Sequence, residues 1–270
     1  MKLAANISLL YPGLPLAERI SAAARDGFSA VEILFPYDVP HEDLCAHLHI
    51  NKVDLVLINT PLGPMGEKGL ASLPGREEEF EIGFRMSLAV CEATGCRTVH
   101  VMAGQLADGV SKDTHRSTLI NNLKRIAPLA AKAGITLTLE ALNRRDVPNY
   151  FYYTPDQVVD ILECIDASHV RLQFDFYHTE VENLPLNNTL QRLLPWVHHV
   201  QFAHVNGRHE PDLQAQPTRA ALRTLSAAGY AGWIGCEYIP RSDPSEGLVW
   251  RKQYWELINT DSEAQVLYKI

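Results

Sequence analysis

Four side chains that carry oxygen ligands stand at the ends of short apolar runs in the second half of the chain. They are Glu140, Asp175, Gln201 and Glu237, and consecutive members lie 35, 26 and 36 residues apart. A strand followed by a helix takes roughly thirty residues, so each separation fits one such unit. Because the carboxyl ends of parallel strands meet at one level, we expect the four side chains to lie together.

Three carboxylates and one amide form a set of hard oxygen ligands, which favours Mg²⁺ or Mn²⁺ over Zn²⁺. Four protein oxygens leave two positions of an octahedral shell, enough for a substrate that chelates through adjacent oxygens. The three carboxylates carry −3 against +2 for the ion, so one of them is free to take up a proton. The set therefore predicts a divalent metal site formed by Glu140, Asp175, Gln201 and Glu237, with proton transfer next to a carbonyl group.

Strands must position these residues, and the sequence shows eight repeats of a strand followed by a helix. The predicted strands cover residues 3–9, 30–34, 54–59 and 97–102, and four more end near residues 140, 175, 203 and 238. The predicted helices cover residues 16–25, 41–49, 76–94, 113–133, 154–165, 186–194, 218–228 and 245–258. Strands that alternate with helices in this way imply a parallel sheet with right-handed crossovers.

Eight such units in 270 residues predict an α/β fold, a closed (β/α)₈ barrel in one domain over residues 1–258, followed by a tail at 259–270. A doubly wound sheet is the alternative. The absence of a Gly-x-Gly-x-x-Gly motif after the first strand disfavours it.

Polar residues also recur on the face of each strand that is expected to point into the barrel. Glu32 lies between two apolar neighbours, as does His100, while Asn59 closes its strand and His199 shares a face with Gln201. A polar interior is costly unless it surrounds something ionic. Asn59 and His100 are therefore candidate substrate contacts beside the metal site.

Composition excludes several functional classes. The formal net charge of −8 argues against a general binder of nucleic acid, which needs a basic surface. The five cysteines show no Cys-x-x-Cys spacing, which is typical of buried thiols in a reducing compartment. No stretch is long and apolar enough for a membrane span, and the first residues do not resemble a secretory leader. We expect a cytoplasmic enzyme without a membrane or nucleic-acid partner.

Several stretches resemble hydroxypyruvate isomerase, a member of the xylose isomerase-like barrel superfamily, and the likeness spans about residues 3–250. They are residues 5–9 (ANISL), 31–37 (VEILFPY), 73–80 (LPGREEEF), 139–143 (LEALN), 173–178 (QFDFYH) and 235–238 (GCEY). Residues 59–60 and 99–104 (VHVMAG) are at least as similar to the related 2-oxo-tetronate isomerases.

The resemblance implies a role for each residue of the predicted site. Glu140 and Glu237 are implied to be the pair of proton donor/acceptors that also touch the metal. Asp175 and Gln201 are implied to complete the metal shell, and His178 to contact the substrate. Arg208 is a candidate for binding a substrate carboxylate, as is the loop near Arg76, since a guanidinium fork matches a carboxylate.

One loop departs from the family pattern. His204 stands where the family usually has an acidic residue, and residues 212–217 replace a Gly-x-Gly-Glu stretch, although residues 207–211 (GRHEP) keep the pattern. We expect this loop to face the site, so the departure bears on which substrate is bound.

These observations predict a metal-dependent aldose–ketose type isomerase of a small sugar acid, with hydroxypyruvate converted to tartronate semialdehyde through a metal-stabilised enediolate. A 2-oxo-tetronate isomerase or a related sugar epimerase is an alternative within the same chemistry. Abasic-site endonucleases share the fold but need a histidine-rich zinc cluster and a basic groove. A sugar-acid binding protein without catalytic activity is the third alternative.

Overall fold

Eight parallel strands close into a barrel in sequence order, with the first strand paired to the last. The computed structural model describes the backbone of residues 1–267 and the side chains of residues 1–259. The strands are β1 Lys2–Asn6, β2 Ala30–Glu32, β3 Asp54–Asn59, β4 Thr98–His100, β5 Thr136–Glu140, β6 Val170–Asp175, β7 Val197–Phe202 and β8 Trp233–Cys236. The predicted (β/α)₈ barrel is confirmed.

Helices connect the strands and cover the outside of the barrel. They are α1 Leu16–Arg25, α2 His41–Asn51, α3 Glu77–Thr94, α4 Lys112–Lys132, α5 Pro155–Ile165, α6 Phe176–Val181, α7 Leu186–Leu193, α8 Gln216–Ala227, α9 Pro244–Gly247 and α10 Trp250–Leu267. Within the described part of the chain, none of these helices is long and apolar enough to span a bilayer.

Four predicted strands are shorter than expected: β1, β2, β4, which covers Thr98–His100 instead of 97–102, and β8, which ends at Cys236 instead of near 238. Side-chain hydrogen bonds mark the ends of β1 and β2. β1 was expected to reach residue 9 but ends at Asn6, whose Oδ1 accepts a hydrogen bond from the Ser8 backbone N–H at 3.2 Å. The Ser8 hydroxyl in turn accepts the backbone N–H of Leu34 at 2.9 Å, beyond the end of β2. Side-chain bonds of this kind compete with the ladder and turn the chain out of the sheet.

Two helical regions also differ from the prediction. No helix was predicted directly after β6, but α6 begins at Phe176. The Asp175 carboxylate caps this helix by accepting a hydrogen bond from the Tyr177 N–H at 2.8 Å. The predicted helix over residues 245–258 is divided into α9 and α10, and α10 continues to Leu267 through most of the predicted tail. Residues 268–270 of that tail lie outside the described residues.

The outward and inward faces of the barrel strands differ in polarity. Alternate strand residues such as Val99, Leu137 and Leu172 point outward and are fully buried in the apolar layer beneath the helices. The inward-pointing residues include many polar ones, and Glu32 of β2 crosses the interior toward β8. A Cβ atom at Gly235 would lie 2.1 Å from Glu32 Oε1, so only glycine leaves room for this carboxylate.

Candidate active site

A cavity of about 250 Å³ opens at the carboxyl ends of the strands. Six of the eight residues predicted to be catalytic, to contact the substrate or to bind the metal line this cavity. Those that line it are Asn59, His100, Glu140, His178, Arg208 and Glu237. Asp175 lies buried against Glu140 and His178, and Gln201 is buried within the barrel. The spacing of strand ends thus brings the predicted site residues to one end of the barrel.

Glu140, Asp175 and His178 form the tightest group at this cavity. One ligand-capable atom from each lies within 4.8 Å of the other two. Glu140 Oε1 and Asp175 Oδ2 are buried without a hydrogen-bond partner. Buried carboxylate oxygens are normally paired, so these two atoms are oriented for a ligand that the protein itself does not supply.

His178 contributes a hydrogen-bond donor to the group. The backbone N–H of Asn143 donates to Nδ1 of His178 at 3.0 Å, so Nδ1 is an acceptor and the proton of the neutral ring resides on Nε2. Nε2 lies 3.7 Å from Asp175 Oδ2 and 3.9 Å from Glu140 Oε1. Burial, followed by the nearby charge of Arg208, lowers the pKa of His178 well below its ordinary value and keeps the ring neutral. A neutral Nε2–H suits contact with a substrate oxygen better than metal ligation.

Glu237 is held on the other side of the site by Arg208. Arg208 Nη2 lies 2.8 Å from Glu237 Oε1 and 3.9 Å from Asp175 Oδ2. The guanidinium carbon also lies 4.8 Å from the centre of the Tyr177 ring, a cation–π contact that helps to hold the arginine in place. Arg208 therefore lines the cavity as predicted, but its charge is engaged by protein carboxylates.

Burial dominates the electrostatics of the three acids. It raises the pKa of Glu140 well above the ordinary value, and the charges of Glu237 and Asp175 raise it further. Burial raises the pKa of Asp175 to about 6 and that of Glu237 to about 8, in both cases against the opposing effect of Arg208. Three acids in one buried site cannot all ionise against one arginine, so the site favours an added cation or a bound proton.

His100 and Asn59 place further unpaired polar atoms at the cavity. Both ring nitrogens of His100 and the Oδ1 atom of Asn59 are buried without hydrogen-bond partners. Burial, followed by the proximity of His199, lowers the pKa of His100 to about 3, so this ring is also neutral. These atoms are available to substrate hydroxyl groups.

Comparison of the sequence with known protein families agrees with the fold. Residues 20–255 match the model of a family described as xylose isomerase-like TIM barrel. This chain belongs to the xylose isomerase-like TIM barrel family.

Named relatives in this family include isomerases. The 2-oxo-tetronate isomerase of Cupriavidus necator is 38% identical over 255 residues, covering 94% of this chain and 98% of that protein. The hydroxypyruvate isomerase of Escherichia coli is 31% identical over 256 residues, covering 94% and 99%. The predicted resemblance to these two isomerases, and with it the prediction of an isomerase, is confirmed.

A solved structure adds a different name. The crystal structure of an AP endonuclease, family 2, from Brucella melitensis matches with a TM-score of 0.90 and 35% identity, covering 94% of this chain and 98% of that chain. Among residues with described side chains, the one group of three His, Cys, Asp or Glu residues able to share an ion is Glu140, Asp175 and His178. That group lacks the multiple histidines of the zinc cluster expected for such a nuclease.

The donor set of this family member fits a divalent cation. Besides the unpaired oxygens of Glu140 and Asp175, the site offers the carbonyl oxygen of Gln201. Gln201 Nε2 donates to Glu32 Oε2 at 2.8 Å, and this acceptor fixes the orientation of the amide. Gln173 Nε2 then donates both to Gln201 Oε1 at 2.7 Å and to Glu140 Oε2 at 3.0 Å. One donor thus holds these two oxygens beside each other, and each keeps a lone pair for an ion.

Sequence reasoning missed three contributors to the site. Glu32 was predicted to point into the barrel but not to orient Gln201, and the bond from Asn143 to His178 was not predicted. Lys68 also lines the cavity, although the only signal was the length of the loop between β3 and α3. Such long connections are often functional.

The structure corrects two expectations about loops. The loop near Arg76 was a candidate for the substrate carboxylate; Leu62 and Lys68 of this loop line the cavity, but Arg76 itself pairs with Glu67 at 2.6 Å and with Glu79. His204 and Asp212, in the loop that departs from the family pattern, line a separate cavity of about 370 Å³. Arg208 is the residue of that loop that lines the cavity with Glu140 and Glu237, so the departure lies away from the acids.

Proposed function

We propose that this protein is a divalent-metal-dependent isomerase of a small 2-oxo sugar acid, converting hydroxypyruvate to tartronate semialdehyde. A 2-oxo-tetronate is the alternative substrate in the same reaction class. The observation that carries the proposal is the pair of buried, unpartnered carboxylate oxygens of Glu140 and Asp175 beside a cavity that Glu237 also lines. The names of the isomerase relatives support it.

Glu140, Asp175, Gln201 and Glu237 would hold the ion, with Mg²⁺ or Mn²⁺ preferred by their oxygen donors. When bound, such an ion polarises the carbonyl group and offsets negative charge that develops on the substrate. Side chains of the protein carry out the remaining functions, which are to exclude water, to orient the substrate and to transfer protons. Apolar residues such as Leu34 and Leu142 line the cavity and help exclude water.

The two glutamates move protons at carbon. In hydroxypyruvate, one carboxylate removes a proton from carbon 3, and a proton returns to carbon 2, while a hydroxyl proton passes from the oxygen on carbon 3 to that on carbon 2. Product and substrate then have the same composition. In the metal-free site burial raises the pKa of Glu237 to about 8, and the charge of a bound ion would lower it, so this group can both take and give a proton near neutral pH. Burial and the charges of Glu237 and Asp175 give Glu140 the same property.

His178 and Arg208 assist without reacting at carbon. The Nε2–H of His178, fixed by Asn143, is placed to donate to a substrate oxygen between the two acids. Arg208 holds the Glu237 carboxylate in one orientation through the contact at 2.8 Å. Keeping a base in a single orientation is a large part of its effectiveness.

The experiment is an activity screen with a matched variant. The purified protein is assayed with hydroxypyruvate and 2-oxo-tetronates, with Mg²⁺, with Mn²⁺ and after chelation. We expect turnover that requires the ion, and a fall in kcat of about 10²–10⁴-fold in Glu237→Gln. Glu163→Gln, at an exposed position of α5, is the control and keeps full activity.

The outcomes separate the alternatives. Undiminished turnover by Glu237→Gln with its ion bound, shown by Mn²⁺ titration, would remove this glutamate from the chemistry. Binding of 2-oxo acids without turnover by the native protein indicates a binding protein instead. Cleavage of abasic DNA with more than one zinc ion per chain indicates the nuclease class.

A further inference from the structure

Two cationic side chains line the catalytic cavity, and they differ in what holds them. Arg208 lies against Glu237 at 2.8 Å and within 3.9 Å of Asp175. Its guanidinium already balances carboxylates of the protein. Lys68, the second cation, has no carboxylate or hydrogen-bond partner among the side chains that the structure describes. Lys68 is an exposed residue that contributes to the cavity wall, so its ammonium group is free to meet a ligand there.

The chain on both sides of Lys68 is fixed in place. Its preceding neighbour, Glu67, accepts hydrogen bonds from Arg76 at 2.6 Å and from the backbone N–H of Met65 at 2.8 Å. The bond from Arg76 fastens the loop to the residue that precedes α3, and the bond from Met65 closes a turn within the loop. The corrected role of Arg76 is thus to hold the segment that carries Lys68.

The following neighbour, Gly69, fastens the same segment to the barrel. Its N–H donates to the carbonyl oxygen of Leu62 at 2.8 Å, and its φ is +111°. A Cβ atom here would lie 2.2 Å from the carbonyl oxygen of Met102, so the loop backbone lies directly on the chain after β4. Lys68 is consequently presented at the cavity by two anchored neighbours.

A 2-oxo acid brings a negative charge into a cavity already lined by Glu140 and Glu237 with Asp175 nearby. A divalent ion offsets the charges of the protein acids, and Arg208 is engaged by Glu237. The substrate carboxylate therefore needs a further cation, and the surrounding side chains of Phe35 and Leu62 make an uncompensated charge more costly.

We propose that the ammonium group of Lys68 binds the substrate carboxylate and makes the site selective for sugar acids over neutral sugars. The inference rests on the proposed function, because it assigns a substrate class to the same cavity. Lys68 is a substrate-binding residue in this proposal and takes no part in proton transfer at carbon.

The test uses the full-length protein loaded with Mn²⁺ and the variant Lys68→Met. Loss of a charge-assisted bond to the carboxylate raises KM for hydroxypyruvate by about 10–100-fold. We expect kcat to change by less than about threefold, because the carboxylate contact is made equally in ground and transition states. Lys68→Arg retains most of the affinity, and Lys124→Met, at an exposed position on α4, changes neither constant.

Calorimetric binding of hydroxypyruvate and of neutral dihydroxyacetone separates charge recognition from damage to the site. We expect Lys68→Met to weaken binding of the acid and to leave binding of the neutral compound unchanged. Equal weakening of both ligands, or acid binding within about twofold of the native protein, would overturn the role of Lys68.

The two proposals fail in different ways. Native protein that binds a 2-oxo acid without converting it refutes the isomerase and leaves Lys68 testable by binding. Native activity that Lys68→Met retains with unchanged KM refutes Lys68 alone. Native protein that neither binds nor converts any 2-oxo acid refutes both.

Discussion

Two groups of buried acids occupy the same barrel and differ in how they are satisfied. In the interior, Glu32 accepts hydrogen bonds from His199 at 2.6 Å, from Gln201 at 2.8 Å and from Asn6 at 3.1 Å. At the carboxyl ends of the strands, Glu140 and Asp175 each keep one buried oxygen without a partner. Both groups are shielded from water, so burial alone does not distinguish them.

The difference indicates what each group does. A satisfied carboxylate ties together the strands that supply its donors, and here the bonds of Glu32 join β1, β2 and β7. An unsatisfied oxygen costs about 1–3 kcal/mol in the unliganded protein and recovers that energy when a ligand binds. We therefore infer that the interior group around Glu32 stabilises the fold. The upper group, Glu140 and Asp175 at the carboxyl ends of the strands, serves binding and catalysis, and Gln201 contacts both groups.

Removal of the interior carboxylate gives the largest stability effect that this comparison predicts. Glu32→Ala leaves Nε2 of Gln201 and Nε2 of His199 without their acceptor in a buried site. We expect a loss of about 3–5 kcal/mol in the free energy of unfolding, measured by urea denaturation. Glu163→Ala, at an exposed helical position, is the control and changes stability by less than about 0.5 kcal/mol.

A loss below about 1 kcal/mol in Glu32→Ala would contradict the assignment, because a hydrogen-bonded buried acid would then contribute no more than a surface group. The variant also tests the link between the two groups. Since Glu32 orients the Gln201 amide, its loss is expected to weaken Mn²⁺ binding in whatever fraction remains folded.

The upper group predicts a pH dependence of stability in the metal-free protein. Folding raises the pKa of Asp175 from 3.8 to about 6 and that of Glu237 from 4.5 to about 8, mainly through burial. The folded state therefore binds protons more tightly than the unfolded chain. The associated stability is fully present below about pH 4 and is lost as pH rises through about 6 and about 8.

The measurement is thermal unfolding at pH 5 and pH 8, after chelation and with Mn²⁺. We expect Tm of the chelated protein to fall by roughly 5–10 °C across this interval from these two groups, and saturating Mn²⁺ to reduce the fall. Glu237→Gln removes one of the titrating groups and should show a smaller fall. An identical pH dependence with and without Mn²⁺ would show that no ion contacts these acids.

The sequence was sufficient for the parts of the molecule that depend on local pattern. Apolar runs that end in Glu140 and Asp175 predicted both the barrel and the edge where the acids meet, because strand direction fixes which ends coincide. The parity of Glu32 in its strand likewise predicted an inward direction. These features follow from a few neighbouring residues and a repeat length.

The features that were missed depend on contacts between distant segments. Arg208 pairs with Glu237 across 29 positions of the chain, and no local pattern distinguishes that pairing from binding a substrate. The loop near Arg76 was a candidate for the substrate carboxylate, and no local pattern showed that Arg76 itself pairs with Glu67. Lys68 lies next to Gly69, whose backbone packs on the chain after β4, and this contact is specified by tertiary structure.

The smallest predicted effect concerns a residue that lies between the two groups. Thr138 Oγ1 donates to Gln173 Oε1 at 2.8 Å, and the Gln173 amide in turn donates to Glu140 and Gln201. Thr138→Val keeps the branched shape but removes the hydroxyl donor. We expect a loss of about 1 kcal/mol in the free energy of unfolding, and a fall in kcat of less than about threefold, because both upper bonds of Gln173 remain. A loss of more than about 100-fold in kcat with unchanged stability would show that Thr138 takes part in catalysis. The catalytic group would then extend deeper into the barrel than Glu140 and Asp175.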